Sequence, residues 1–326
     1  MKLDVIVPTY NGEPLLERYL PAVADEFGAD AVTVVDDAST DNSADLVASR
    51  FPGVRLVRRS ANGGFSAAAN DGIRGSCKAE LVLLLNNDVR ITHGLAEPIL
   101  PLFENPCVFA VSPRILLPSR DDLDEGCKTG FWRHGMFYTD QRQGVSRVTP
   151  SLYATGCAAV YRRSMLEALG GFDEAYSPFY WEDADLCYRA WKRGWRTLYQ
   201  PLSTVYHEHS ASISRISAVV TGRIKARNSL LFVWRNIEDP ALLAWHRRWL
   251  PLVLLRRGLA GDRAFVAGWR EAYGVRSEAL AARAADARYR VMTDSEIMQQ
   301  SAQPRGDCSP LSAPCSLRSQ ERGVER

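Results

Sequence analysis

The chain has 326 residues, 46 % hydrophobic and 24 % charged, enough to bury a sizeable core. Its formal net charge of +2 lacks the electrostatic footprint of a nucleic-acid binder. No run of about 18 uncharged apolar residues occurs, which argues against a spanning helix. Seven cysteines without metal-site spacing fit a reducing cytoplasm. The opening Met-Lys-Leu-Asp-Val-Ile-Val-Pro is too short for a signal peptide.

The first hundred residues alternate strand and helix patterns. Leu3 to Val7, Ala31 to Val35, Val54 to Arg58 and Leu81 to Leu85 read as buried strands. Glu13 to Phe27, Thr40 to Arg50 (with Asp41 a cap) and Phe65 to Ile73 read as the helices between them. This order predicts an α/β fold with a mostly parallel sheet and right-handed crossovers. Ligands of such sheets bind beyond the carboxyl ends of the strands. Polar clusters stand at all four ends: Thr9-Tyr10-Asn11, Asp36-Asp37, Asn62-Gly63-Gly64 and Asn86-Asn87-Asp88. Any one of them is also an ordinary turn; four in succession favour a site.

Residues 119–149 are polar with aromatic islands such as Phe131-Trp132, and predict a flexible loop or a hairpin insertion. Leu152 to Tyr161 reads as a strand interrupted by Gly156, Glu182 to Arg193 as a helix, and Thr197 to His207 as containing another strand. From Arg215 to Arg257 nine basic residues meet two acids, with Trp234, Trp245 and Trp249 among leucine clusters. Residues 215–297 are expected to form a helical basic and apolar extension to a domain spanning 1–214. Residues 298–326, rich in Ser, Pro, Gln and Arg, are expected to be disordered.

Asp88 closes the fourth strand, where a carboxylate can hold Mg²⁺ or Mn²⁺; Asn86 can add an amide oxygen or touch a ribose. In Phe179-Tyr180-Trp181-Glu182-Asp183-Ala184-Asp185, three acids follow three aromatics at a helix start. Helix capping accounts for one or two of the acids. It does not account for the aromatic run, which suits a sugar surface and raises a nearby carboxylate's pKa. His207 and His209 end a strand on one face, and either can complete a metal site with Asp88. Arg223 or Arg227 can meet a diphosphate. The stretch through Arg257 reads as a helix on an anionic membrane surface or as a packed helix with a solvated basic face.

With these motifs in family order, the chain resembles glycosyltransferase family 2, the inverting GT-A enzymes. The matching pieces are Val-Pro-Thr-Tyr-Asn (7–11), Val-Asp-Asp-Ala-Ser-Thr-Asp (35–41), Asn-Gly-Gly-Phe-Ser-Ala-Ala-Ala-Asn (62–70), Asn-Asn-Asp (86–88), Thr-Gly (155–156), Trp-Glu-Asp (181–183) and His207. Their forms look like the rhamnosyl- and galactofuranosyltransferase branch. The resemblance implies that Pro8, Thr9, Tyr10, Asn11, Asp36, Asp37, Asn62, Gly64, Phe65, Asn70, Asn86 and Asn87 line the nucleotide-sugar site. It implies that Asp88 and His207 hold a divalent cation, that Asp183 is the base, and that Trp181, Glu182 and Gly156 shape the acceptor site. The family pattern is Asp-x-Asp, whereas Asn86 stands at the first position here and supplies less charge.

The expected reaction moves a sugar from a nucleoside diphosphate to a hydroxyl of a glycan or lipid-linked acceptor in cell-envelope polysaccharide synthesis, with inversion. Expected localisation is cytoplasmic, peripheral at the inner face of the membrane. The alternatives are a non-catalytic nucleotide-sugar-binding partner and a sugar nucleotidyltransferase. The second needs a Gly-rich basic loop after the first strand, where this chain has Pro-Thr-Tyr-Asn-Gly.

Overall fold

A computed structural model describes residues 1–76, 79–118, 120–208 and 217–303. Its strands are β1 (Leu3–Thr9), β2 (Val32–Asp36), β3 (Arg55–Arg58), β4 (Leu81–Leu85), β5 (Val89–Ile91), β6 (Val108–Leu117), β7 (Arg120–Asp124), β8 (Lys128–Arg133), β9 (Met136–Gln141), β10 (Thr149–Pro150), β11 (Ala158–Arg162) and β12 (Arg196–His207). The helices are α1 (Glu13–Phe27), α2 (Ser43–Arg50), α3 (Phe65–Gly75), α4 (Arg163–Leu169), α5 (Glu182–Lys192), α6 (Ala218–Asn236), α7 (Pro240–Leu259), α8 (Arg263–Gly274), α9 (Arg276–Asp286) and α10 (Asp294–Ala302). One sheet runs β10-β12-β6-β11-β4-β1-β2-β3. The pairs β4-β1, β1-β2 and β2-β3 are parallel, and β11 lies antiparallel between β4 and β6.

The period of two along each strand sorts side chains onto two faces. Val5, Val7, Leu81, Leu83 and Leu85 pack with Leu16 and Leu20 of α1 and Val47 of α2. Ile6, Val82 and Leu84 pack on the other face with Ala68 and Ile73 of α3, Leu166 of α4 and Leu186 of α5. Helix α3 approaches the sheet closely at Gly72, where a Cβ would lie 2.3 Å from Ile6 Cγ2. Both faces are therefore covered, which is why these strands read as continuous apolar runs.

A third core joins the insertion to the C-terminal helices. Phe137 of β9, Tyr188 and Trp191 of α5, and Leu230, Phe232 and Trp234 of α6 are all buried in it. The cluster expected to meet a membrane is thus partly protein core: Leu230-Leu231-Phe232-Val233-Trp234 is buried with residues of β9 and α5. Of the two expectations for residues 119–149, a flexible loop or a hairpin insertion, β8 and β9 form the hairpin, flanked by β7 and β10.

Other boundaries also differ from expectation. Asp41 does not cap α2; it accepts from the Ser43 and Glu13 amides (3.0 and 3.1 Å) and ties the starts of α1 and α2 together. Of Leu152 to Tyr161 only Ala158 onward is strand, because the Gly156 amide is used elsewhere. Residues 298–302 belong to α10, whose start carries a Thr293–Glu296 capping box, and the rest of the expected tail beyond 303 lies outside the described residues.

Candidate active site

The carboxyl ends of β1, β2 and β4 bring their polar clusters to one edge, as the sheet topology requires. Thr9 Oγ1 accepts from Asn87 Nδ2 at 2.7 Å, so β1 and β4 are joined there. Pro8 is buried beside it, while Tyr10 is exposed. Asn11 has φ of 51° and accepts from the Thr40 amide at 2.8 Å, shaping the entry loop. Asp37 accepts from the amides of Gly63 and Gly64 (3.0 and 2.9 Å) and pairs with Arg59, which also grips Asp71 at 2.6 Å. Asn62 donates to the Asp37 carbonyl at 3.2 Å. Asp37 therefore holds the glycine loop, and the carboxylate oxygen left without a hydrogen bond at this strand end is Asp36 Oδ1.

The glycine loop faces the second half of the site. A Cβ on Gly64, whose φ is +84°, would meet Ser177 Oγ at 2.6 Å and Pro178 O at 2.8 Å. The Phe65 amide donates to Pro178 O at 3.0 Å, and a Cβ on Gly156 would touch the Phe65 ring at 3.2 Å. Gly156 in turn donates to Asp183 Oδ2 at 3.1 Å. Asn70 departs from expectation. It is buried and exchanges hydrogen bonds with Phe172 (2.9 Å each way), so it fastens α3 to the loop after α4 and does not face the nucleotide edge.

The three acids of α5 divide into two environments. Asp185 is fully buried with Arg189 (2.8 Å), Tyr176 Oη (3.1 Å) and Asn236 (2.7 Å). Burial would raise its pKa, but Arg189, Arg235 and Asn236 outweigh that and hold it below the usual carboxylate range. Burial raises Asp183, against the Gly156 and Ala184 amides and the nearby Lys128 ammonium. Burial also pushes Glu182 well up, with Asp183 adding to it, and Glu182 Oε2 has no hydrogen-bond partner. Asp185 is thus tied into a buried ion-pair network, whereas Glu182 and Asp183 are held toward their protonated forms.

Two consecutive residues before α5, Tyr180 (φ 75°) and Trp181 (φ 78°), are in the left-handed region. Each costs about 1–3 kcal/mol for a non-glycine residue. Trp181 stands at the N-cap without a side-chain cap, packed on Phe232. The aromatic run thus serves a conformation as well as a surface.

Asp88 is buried at the end of β4, with His207 Nε2 3.3 Å from its Oδ1. Burial lowers the His207 pKa, but the Cys157 side chain and Asp88 raise it further, to about 11. Asp88 Oδ1 makes no hydrogen bond. Asp88 and His207 would hold a divalent cation only with Nε2 free of its proton, which the cation would have to displace. No group of three His, Cys, Asp or Glu side chains that could hold a metal is found among the described residues. The Asn86 backbone N–H donates to Cys157 O at 2.8 Å beside this pair. His209 lies outside the described residues. Arg223 pairs with Glu271 and Arg227 donates to carbonyls of residues 175 and 177, so neither is placed for a diphosphate.

Residues 4–170 match the family model described as Glycosyl transferase family 2. The chain belongs to glycosyl transferase family 2. It is 30 % identical over 243 residues to the N-acetylglucosaminyl-diphospho-decaprenol L-rhamnosyltransferase of Mycobacterium tuberculosis, covering 65 % of this chain and 78 % of that protein. Among solved structures it is similar to GalNAc-T7 with UDP, GalNAc and Mn²⁺ (TM-score 0.60, 17 % identity, 74 % of this chain and 48 % of that one). It is also similar to Staphylococcus aureus TarS 1-349 in complex with UDP-GlcNAc (TM-score 0.56, 18 % identity, 89 % of each). At these identities the structures speak to fold alone, and that fold is GT-A. The family 2 protein is a glycosyltransferase, as the ordered motifs implied.

Arg59, Lys128 and Asn228 were not singled out from the sequence. Arg59 follows the carboxyl end of β3, so the strand-end rule that found its neighbours also points to it. Lys128 carries no such signal, being one lysine in a polar hairpin.

Proposed function

We propose that this enzyme transfers a sugar, rhamnose being the first candidate, from a nucleoside diphosphate to a hydroxyl of a lipid-linked glycan, with inversion at the anomeric carbon. The observation that carries it is Asp183, a carboxylate of raised pKa held by Gly156 between the donor-side glycine loop and the Trp181 wall. Asp183 takes the acceptor hydroxyl proton as that oxygen bonds to the anomeric carbon and the carbon–diphosphate bond breaks. Thr9, Asn11, Asp36 and the Asn62–Phe65 loop orient the nucleotide, and Glu182 and Trp181 face the acceptor. Asp88 and His207 would hold Mg²⁺ or Mn²⁺, which supplies charge to the departing diphosphate when bound. Residues 1–214 would carry the chemistry and 215–297 support it. A panel of nucleoside diphosphate sugars, assayed with and without a polyprenyl-diphosphate-linked acceptor, tests this. We expect one deoxyhexose donor to give acceptor-dependent product; sugar-nucleotide synthesis from a nucleoside triphosphate, or binding without turnover, would overturn it.

The supported location is a membrane surface reached through α7. No described helix is long and apolar enough to cross a membrane. Helix α7 has no acidic residue, carries Arg247, Arg248, Arg256 and Arg257, and leaves Leu252, Leu255 and Leu259 at 53, 61 and 82 % exposure. Each arginine near an anionic surface contributes about 1 kcal/mol, and inserted leucines add a salt-resistant part. The protein should therefore float with anionic liposomes at low salt, and Leu255→Glu with Leu259→Glu should release it. Indifference of the unaltered protein to such liposomes at low salt would reject this location.

A further inference from the structure

We propose that Asn228, with Arg227 beside it on α6, is the positioning element that sets the loop presenting Asp183, an assignment that rests on Asp183 being the base. Asn228 is fully buried, and its side-chain amide donates to the carbonyls of Tyr176, Phe179 and Tyr180 at 2.7, 3.0 and 2.8 Å. Arg227 donates to the carbonyls of Ala175 and Ser177 at 2.7 and 2.9 Å, and to Asn228 Oδ1 at 2.9 Å. Five carbonyls between residues 175 and 180 therefore end on two adjacent side chains. The sixth, Pro178 O, accepts from the Phe65 amide, and Trp181 O accepts from Asp185.

This arrangement has a direction. The bonds to Phe179 and Tyr180 fix the peptide planes entering the two left-handed residues, Tyr180 and Trp181. Helix α5 starts immediately after them, with Glu182 and Asp183 in its first turn. The same loop meets the donor side at Gly64 and Phe65. Rotating those planes would move the Asp183 carboxylate relative to Gly156 and to the nucleotide loop together. Asparagine suits the position because it donates to carbonyls while its own oxygen accepts from Arg227. Aspartate of the same shape offers only acceptors, and alanine leaves three carbonyls unpaired.

The test uses the full chain with Asn228→Asp, Asn228→Ala and Arg227→Met, and Leu231→Ala as a control that loosens the same helix core without removing a hydrogen bond to the loop. Measured are transfer kcat, acceptor KM, calorimetric Kd for the nucleoside diphosphate, the pH–rate profile and the melting temperature. We expect kcat to fall by up to about 10²-fold in the Asn228 variants, as a misplacement near 1 Å produces. The nucleoside diphosphate Kd should hold and the acidic limb of the profile should move; Arg227→Met should give a smaller loss in the same sense. Leu231→Ala should melt earlier yet keep kcat per folded molecule. Folded Asn228 variants with full kcat and an unmoved profile would overturn the assignment, as would a kcat loss shared by Leu231→Ala at equal stability. If the Asn228 variants do not fold, Arg227→Met decides by the same criteria. Asp183→Asn is measured alongside: its retained activity would sink the base assignment, whereas a dead Asp183→Asn with normal clamp variants would sink the clamp alone.

Discussion

Asp183→Asn should lower transfer by about 10²–10⁴-fold while leaving donor binding nearly intact, the loss typical of a missing general base. The substitution keeps the side-chain shape, and the amide oxygen can still accept from Gly156 or Ala184, which now donate to the carboxylate at 3.1 and 2.7 Å. The α5 start should therefore hold its geometry, and the defect should fall on kcat. Burial raises the Asp183 pKa, so the group acts as a base only above a pH higher than an ordinary carboxylate needs. Activity of the unaltered enzyme should fall as pH drops through that value, and the limb should vanish in the variant. The comparison is made by steady-state assays across pH with calorimetric titration of the nucleoside diphosphate. Transfer within a few-fold of the unaltered enzyme would remove Asp183 from the role and turn attention to Glu182, the other carboxylate pushed up by burial.

The sheet edge was legible because its signals are local. Leu81–Leu85 is continuously apolar because both its faces are covered, and Asn86-Asn87-Asp88 follows it at the strand end that sheet topology assigns to ligands. Glu182 and Asp183 were legible as acids after aromatics. The left-handed backbone that aims them was not, because nothing in Tyr180-Trp181 announces a conformation those residues avoid. The side chain that binds the loop carbonyls there, Asn228, lies 48 residues further on, a separation that no local pattern spans. Asn70 misled for a related reason: it closes a recognisable motif, yet its amide is committed to Phe172, 102 residues away. The Trp234 region stayed open between two readings because basic and apolar residues mix similarly in a membrane-facing helix and in one walled by α5, α8, α9 and β9. Only the packing separates the buried Leu230–Trp234 stretch of α6 from α7, which leaves Leu252, Leu255 and Leu259 exposed.

Transfer should stop when divalent cations are removed by exhaustive chelation, resume with Mn²⁺ or Mg²⁺, and fall in Asp88→Ala by roughly 10³-fold or more, the rate equivalent of several kcal/mol of charge stabilisation. The physical reason is that the arginines that could replace a cation are already engaged. Arg59 is spent on Asp37 and Asp71, Arg223 on Glu271, and Arg227 on loop carbonyls. With Asn86 in place of a first acid, Asp88 is the carboxylate available at the end of β4, so its loss should not be buffered by a neighbour. Asp88→Asn sharpens the test, since it keeps an oxygen ligand and the packing against His207 but removes the charge, and should leave intermediate activity at saturating metal. The measurements are transfer rate against free Mn²⁺ and calorimetric binding of the nucleoside diphosphate with and without the cation. In the unaltered protein the cation should tighten nucleotide binding; in Asp88→Ala that tightening should disappear while cation-free binding persists. Full activity after chelation would show that side-chain cations stabilise the departing diphosphate, with Lys128 the first to examine because it is buried and close enough to Asp183 to lower its pKa.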